Sequence, residues 1–412
     1  MRRWSLRVHL NRQVRLRSWC AVVAMAVAAG CTQPAASPAP AAPAPPAWHC
    51  DAGPPGSRLP PGPGVWLGVN LDWDRDSPHS YGSRIGRMPA VVTQFARMPL
   101  TAADIGHVDA AVDQLAASGA MLLLTLEPHD GLEAVDAAAI ERLVARLAGY
   151  NARGVPVLLR FAHEMNGSWY AWGQQPAAYV AAFRRVAAAV HAGAPASAML
   201  WAPNYGGGYP FRGGRYMAAA GSPEHAALDT DRDGRLDAHD DPYAPYYPGD
   251  DAVDWVGMSL YHWGSRYPWG SNDLPEPGKF EAMLTGDYHG SVGDERMLPD
   301  FDALYAKRRG KPLGIFETAA LYAPGAGGED AMAIKSAWWQ QVYSDEVRRR
   351  FPSLAMINWF EWDKHEVEIR GRVDWGVSRA PDISAAYRAA LPGWLLDADD
   401  VAFCQPQASP AG

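Results

Sequence analysis

Short apolar runs recur along this chain, separated by stretches with helical spacing. Eight of the runs read as strands: Val65–Asn70, Val91–Phe95, Met121–Leu126, Val155–Phe161, Ala198–Pro203, Trp255–Leu260, Leu313–Phe316 and Met356–Trp359. Several are apolar at consecutive rather than alternate positions, as in strands covered on both faces of a parallel sheet. Ala-rich segments between them, such as Ala134–Asn151, Pro176–His191 and Asp330–Arg350, predict helices. Repeated strand–helix alternation over this length predicts an α/β fold, a single (β/α)8 barrel of the TIM type rather than an open sheet. The longest connections, Asn204–Val253 and Tyr261–Phe301, follow the fifth and sixth strands. No internal repeat and no second domain are visible.

The first residues break this pattern. A basic stretch, Arg2 to Arg17, precedes a short apolar run, Ala21–Ala29, and then Val27-Ala28-Ala29-Gly30-Cys31. This is the layout of an export signal, and small residues before a cysteine resemble a lipobox in which Cys31 would be lipidated. An ordinary cleaved signal is the alternative. The pair Arg2-Arg3 with Leu6 and Arg7 weakly resembles a twin-arginine signal. Residues 31–49, rich in Ala and Pro, read as a tether that cannot bury a core. The organisation expected is a signal over 1–30, the tether, a barrel domain over 50–405 and a tail over 406–412. Cys20 falls in the signal, which leaves Cys50 and Cys404 at the two ends of the barrel domain. In an oxidising compartment these two are expected to pair; two separate buried thiols are the alternative.

Composition narrows the partners. The chain has 412 residues and a formal net charge of −8, with no basic run in the mature part. That argues against nucleic acid, and leaves a membrane as partner only through a lipid anchor. A monomer is expected. Seventeen Trp and 17 Tyr suit either a well-filled core or the stacking of pyranose rings.

In barrels of this class, reactive groups follow the strands on the C-terminal rim. The residues there are Asn70, Asp72, Trp73, Glu127, His163, Glu164, Asn204, Tyr205, Tyr261, His262, Glu317, Trp359, Glu361 and Trp362. No Ser-His-Asp set, cysteine nucleophile or phosphate-binding Gly loop stands among them. Glu164 after the fourth strand and Glu317 at the end of the seventh would face each other across the mouth. Glycosidic bond cleavage needs such a pair, one carboxyl group to protonate the leaving oxygen and one to attack or to activate water. A separation of ~5–5.5 Å would make the reaction retaining. An acid needs a raised pKa, which Trp169, Tyr170 and Trp172 could supply as apolar walls.

The segment Arg160-Phe161-Ala162-His163-Glu164-Met165-Asn166-Gly167-Ser168-Trp169-Tyr170-Ala171-Trp172-Gly173 resembles the signature of glycoside hydrolase family 26, a clan A family best known for β-mannanases. Lys311-Pro312-Leu313-Gly314-Ile315-Phe316-Glu317-Thr318 resembles its nucleophile strand. The resemblance implies Glu164 as acid/base, Glu317 as nucleophile and Tyr261 as a hydrogen-bond donor to it. His163 would orient the acid or touch the sugar. Trp169, Trp172 and Asn204 would line the sugar site, and Trp359, or Trp362, would form the platform under the reacting sugar. Where many members carry Asp, this chain has Ser259. The activity implied is endo-β-1,4-mannanase. The alternatives are an endo-β-glucanase or β-1,3-xylanase on the same scaffold, a glycan-binding lipoprotein without catalysis, and a transglycosylase.

Inside the fifth connection, Asp229, Asp231 and Asp233 precede Gly234, Arg235, Leu236, Asp237 and Asp240 with the spacing of an EF-hand-type calcium loop. Arg235 would contribute its backbone carbonyl. Asp rather than Glu at the last position would weaken the site. A solvated acidic turn is the alternative. A structural Ca2+ is expected there, and no cofactor is expected for catalysis.

Overall fold

A computed structural model describes residues 48–49, 64–290, 298–401 and 405–406. The signal, the tether up to residue 47, the tail beyond residue 406, Cys20, Cys31, Cys50 and Cys404 lie outside them. Eight parallel strands close into a barrel: β1 Val65–Asn70, β2 Val91–Arg97, β3 Met121–Glu127, β4 Val157–Phe161, β5 Ser197–Trp201, β6 Trp255–Ser259, β7 Leu313–Thr318 and β8 Leu354–Phe360. Each pairs with its neighbour in sequence. β1 also pairs with β8, Trp66 opposite Met356 and Asn70 opposite Phe360, which closes the sheet. The expected (β/α)8 architecture is therefore present, with every strand where the apolar runs placed it.

Side-chain alternation sorts the strand residues into two cores. Trp66, Val91, Met121, Leu123, Leu158, Leu200, Trp255, Phe316 and Met356 pack together as a plug inside the barrel. Trp66 and Trp255 stack within it at 5.3 Å. The intervening residues, among them Leu67, Leu122, Leu124, Leu159, Ile315 and Ile357, belong to the larger core shared with the helices. Two residues beyond the plug on four strands, the inward positions turn polar: Thr93, Thr125, Arg160 and Asn358, all fully buried. Space for this layer is made by Gly68, where a Cβ would lie 1.6 Å from Asn358 Oδ1. Asn358 Nδ2 donates to Thr93 Oγ1 at 3.2 Å.

β7 departs from strict alternation. Phe316 points into the plug, so an unbroken strand would turn Glu317 outward to the helices. The β6–β7 pairing instead shifts between Met258 and Ser259 and sets Ser259 opposite Glu317. Such bulges re-aim a side chain. Here the shift turns the carboxylate towards the mouth.

Helices α1 Pro78–Ile85, α2 Ala102–Ser118, α3 Ala137–Ala152, α4 Pro176–Gly193, α5 Pro223–Leu228, α6 Lys279–Thr285, α7 Ala331–Val342, α8 Asp345–Arg350 and α9 Pro381–Ala390 lie between and after the strands. The segment expected as one helix over Asp330–Arg350 is two. Ser344 ends the continuity, because its Oγ accepts from Val347 N and caps α8.

The connection after β6 forms a fastened lobe. A His262 Nε2–Asp273 carbonyl bond of 2.8 Å closes its base. Lys279 Nζ donates to Gly264 O at 2.9 Å. Asn272 exchanges two hydrogen bonds with Ala323 of the β7 connection. A hairpin, Asp363–Glu366 with Gly371–Asp374, follows β8. Near the chain ends, Trp48–His49 pairs antiparallel with Gln405–Pro406.

Candidate active site

The exit of β4 is held in an uncommon backbone shape. Ala162 and Glu164 have φ of 47° and 53°, the left-handed region that side chains other than glycine seldom adopt. Glu164 N donates to Ala202 O at 2.8 Å, and Asn166 exchanges two hydrogen bonds with the backbone of Asn204, tying the turn to the end of β5. Gly167 permits the next feature: a Cβ there would lie 2.4 Å from the Trp169 ring. The Trp169 indole can therefore fold back, and its Nε1 donates to Glu164 Oε2 at 3.0 Å.

Glu317 is held from two sides. Arg160, fully buried on β4, is hydrogen-bonded through Nη1 to Glu317 Oε1. Tyr261 Oη donates to Oε2 at 2.6 Å. Arg160 Nη2 also donates to Ser259 Oγ at 2.7 Å. Where Asp was the expectation in relatives, a neutral hydroxyl therefore shares the guanidinium, and Glu317 is the carboxylate paired with Arg160.

Electrostatics separate the two acids. Burial, and then the negative charge of Glu317, push the Glu164 carboxyl up to about 7. Arg160, Ser259 and Trp169 oppose that rise. Burial and the adjacent Glu317 charge hold the Tyr261 phenol well above its usual range, so it remains a donor. Burial and then the Arg160 charge keep His163 neutral. The arrangement can thus present a protonated acid and a cation-paired carboxylate in one cleft near neutral pH.

The aromatic expectations need correction. Trp359 is fully buried on the outward side of β8, 5.4 Å from the Tyr387 ring of α9, with its Nε1 bonded to Trp375 O. Alternation along β8 puts Asn358 and Phe360, not Trp359, on the barrel side. Trp359 is thus a core residue. Trp172 is fully buried too: its Nε1 donates to His163 O, and its ring stacks on Tyr170 at 4.3 Å. It backs the wall whose front is Tyr170. His163 lies almost fully buried against Tyr170 and Phe95. Trp169 is exposed and Asn204 and Tyr261 are partly exposed. Beyond β8, Trp362 stacks on Phe360, which meets Tyr261 at 5.8 Å. Glu361 accepts hydrogen bonds from the amides of Val377 and Ser378 and serves as a loop brace.

Arg160 was given no role from sequence, although a signal was there. A lone cation in the run Val-Leu-Leu-Arg-Phe must find a buried anionic partner.

In the acidic loop, oxygens of Asp229, Asp231 and Asp233 lie within 4.8 Å of one another, a spacing that fits a shared cation. Of the six residues expected there, these are the three whose oxygens converge among the described residues. Asp240 turns its oxygens to the amides of Thr230 and Asp237, and Asp237 Oδ1 accepts from His239. Backbone amides donate to Asp229, Asp231 and Asp233 as well, so such bonds fold the loop around all five carboxylates.

Comparison with known proteins gives a likeness to one family and to one fold. Residues 124–204 match the model of glycosyl hydrolase family 26, a stretch holding β4, Glu164 and the β5 end. Endoglucanase H of Acetivibrio thermocellus is 23% identical over 337 residues, covering 80% of this chain; the chain spans 30% of that relative's length. Among solved structures, an endo-beta-1,4-mannanase double mutant from Cellulomonas fimi aligns with TM-score 0.51 at 18% identity, covering 87% of this chain and 79% of its own. A modular endo-beta-1,4-mannanase from the same organism aligns with TM-score 0.51 at 17% identity, covering 84% and 75%. At these identities the structural likeness speaks to the fold.

Proposed function

We propose that the chain is a member of glycosyl hydrolase family 26, and that it is an endo-acting, retaining glycosidase of β-linked polysaccharide, with β-1,4-mannan as substrate. The observation that carries this reading is the unlike state of the two carboxyl groups. Glu317, held by Arg160 and Tyr261, serves as nucleophile. It attacks the anomeric carbon while Glu164 delivers its proton to the departing oxygen. A glycosyl ester on Glu317 results. Glu164, now ionised, then takes a proton from water, whose oxygen attacks the same carbon and frees Glu317. Two inversions retain configuration. A pKa of about 7 suits a group that gives and regains a proton each cycle. Trp169 orients the acid, and Trp362 with Phe360 and Tyr261 is the reading's sugar platform in place of Trp359.

The printed name of the Acetivibrio thermocellus relative favours a second reading, an endo-β-glucanase. Release of new reducing ends from soluble β-mannan, glucomannan, lichenan and β-1,3-xylan, with the product anomer followed by NMR, decides among them. Turnover of lichenan without mannan or glucomannan would replace the mannanase reading, and an α-anomer product would remove the retaining mechanism.

Three further readings accompany this one. Asp229, Asp231 and Asp233 would hold a structural Ca2+ that stiffens the β5 connection. Export with lipidation at Cys31 is supported by the N-terminal pattern. A Cys50–Cys404 disulfide is supported by the pairing of Trp48–His49 with Gln405–Pro406, the residues that flank the two cysteines.

A further inference from the structure

Soluble proteins seldom group their exposed large apolar side chains without a use for them. Among the described residues four such side chains stand out: Trp169 at 38% exposure, Tyr267 at 66%, Leu274 at 44% and Val367 at 75%. All four are on the C-terminal rim. Trp169 belongs to the acid side of the cleft, where it bonds Glu164. The other three belong to the β6 lobe and the tip of the β8 hairpin.

These two elements meet. A Cβ on Gly270 of the lobe would touch Ile369 of the hairpin at 3.3 Å. The aromatic rings also run outward from the site. Tyr261, bonded to Glu317, has the Trp263 ring at 6.3 Å. A Cβ on Gly264 would lie 3.5 Å from the Trp269 ring, and Trp269 meets Tyr267 edge to face at 5.8 Å. The lobe that carries these rings is braced by the buried cation of Lys279 and by Asn272. An exposed ring on a braced support loses little freedom when a ligand covers it.

We propose that Tyr267, with Trp269 and Val367, forms a distal platform that binds sugar residues of a β-linked glycan several units from the scissile bond. The occupant follows from continuity: the rings extend the cleft from Tyr261, and flat pyranose C–H faces match exposed aromatic and aliphatic surface. The proposal rests on the glycosidase reading for its occupant and deepens it, because a platform away from the carboxylates serves an endo-acting enzyme on long chains.

The test uses the full chain with Tyr267→Ala, Tyr267→Trp and the double variant Tyr267→Ala/Val367→Ser. Loss of one ring contact worth about 1 kcal/mol predicts a KM for soluble glucomannan raised about fivefold in Tyr267→Ala. Tyr267→Trp keeps the wild-type value. kcat/KM for a short aryl β-disaccharide stays unchanged in all three. Equal losses on polymer and disaccharide, or a polymer KM indifferent to every substitution, overturns the platform. Affinity electrophoresis in glucomannan gels separates this from the enzyme reading. Retardation that needs Tyr267 in a chain without hydrolytic activity upholds the platform and rejects the enzyme. Hydrolysis with retardation indifferent to Tyr267 rejects the platform alone.

Discussion

Replacing Glu164 with Gln should stabilise the fold at alkaline pH while abolishing hydrolysis of unactivated substrates. The carboxyl group is pushed from its usual 4.5 to about 7, first by burial and then by the Glu317 charge. The folded chain therefore holds this proton more tightly than the unfolded chain. The stabilising contribution is complete below about pH 4.5 and is lost as pH rises through about 7. At ~1.4 kcal/mol for each tenfold change in affinity, that gap corresponds to roughly 3 kcal/mol between the two pH limits. Gln has the same shape, can accept the Trp169 Nε1 hydrogen bond and carries no charge to desolvate. Calorimetric melting at pH 4.5 and pH 8.5 tests this. Variant and wild type should melt together at the lower pH, and the variant should melt higher by several degrees at the upper one. A difference in Tm that does not change with pH would falsify the claim that Glu164 is the strained acid. The same titration sets the alkaline limb of wild-type activity: kcat on polymer should fall as pH rises through about 7.

Tyr261→Phe removes one hydrogen bond to Glu317 and leaves the ring packing, so kcat should drop about tenfold with little change in Tm. Arg160→Met strands Glu317 in a buried position without its cation, and should lower stability by about 3 kcal/mol in urea unfolding as well as remove activity. Chelator should lower the melting temperature of the wild type and leave Asp231→Ala unaffected; equal responses would rule out the calcium reading. Peptide mapping without reductant should recover the Cys50 and Cys404 peptides as one linked species.

The strands were readable because each is buried on both faces, and the run Met-Leu-Leu-Leu-Thr-Leu needs no partner to announce itself. Glu164 was readable because its turn is local in sequence: Gly167, Trp169 and Glu164 fold onto one another within six residues. Trp359 was misplaced because alternation is a property of the strand, and periodicity gives no phase until Asn358 is seen facing inward. The division of Asp330–Arg350 hinged on one capping serine whose side-chain bond the apolar pattern does not carry. Arg160 and Ser259 lie 99 residues apart, so their bond is a product of barrel closure and no spacing records it.

The shift between β6 and β7 acts as a gear for the whole site. Every other residue of β7 obeys a two-step rhythm that serves packing, and the slip converts one packing position into a chemical one. Changes that abolish the slip therefore have a sharper effect than substitutions that alter packing alone. Regular pairing of the same residues would keep an apolar, barrel-competent strand, yet swing the carboxylate out of the cleft. Evolution could silence such an enzyme in one step while retaining a folded, sugar-binding barrel, and a silent descendant would be recognised by the regular pairing of this strand rather than by loss of its glutamate.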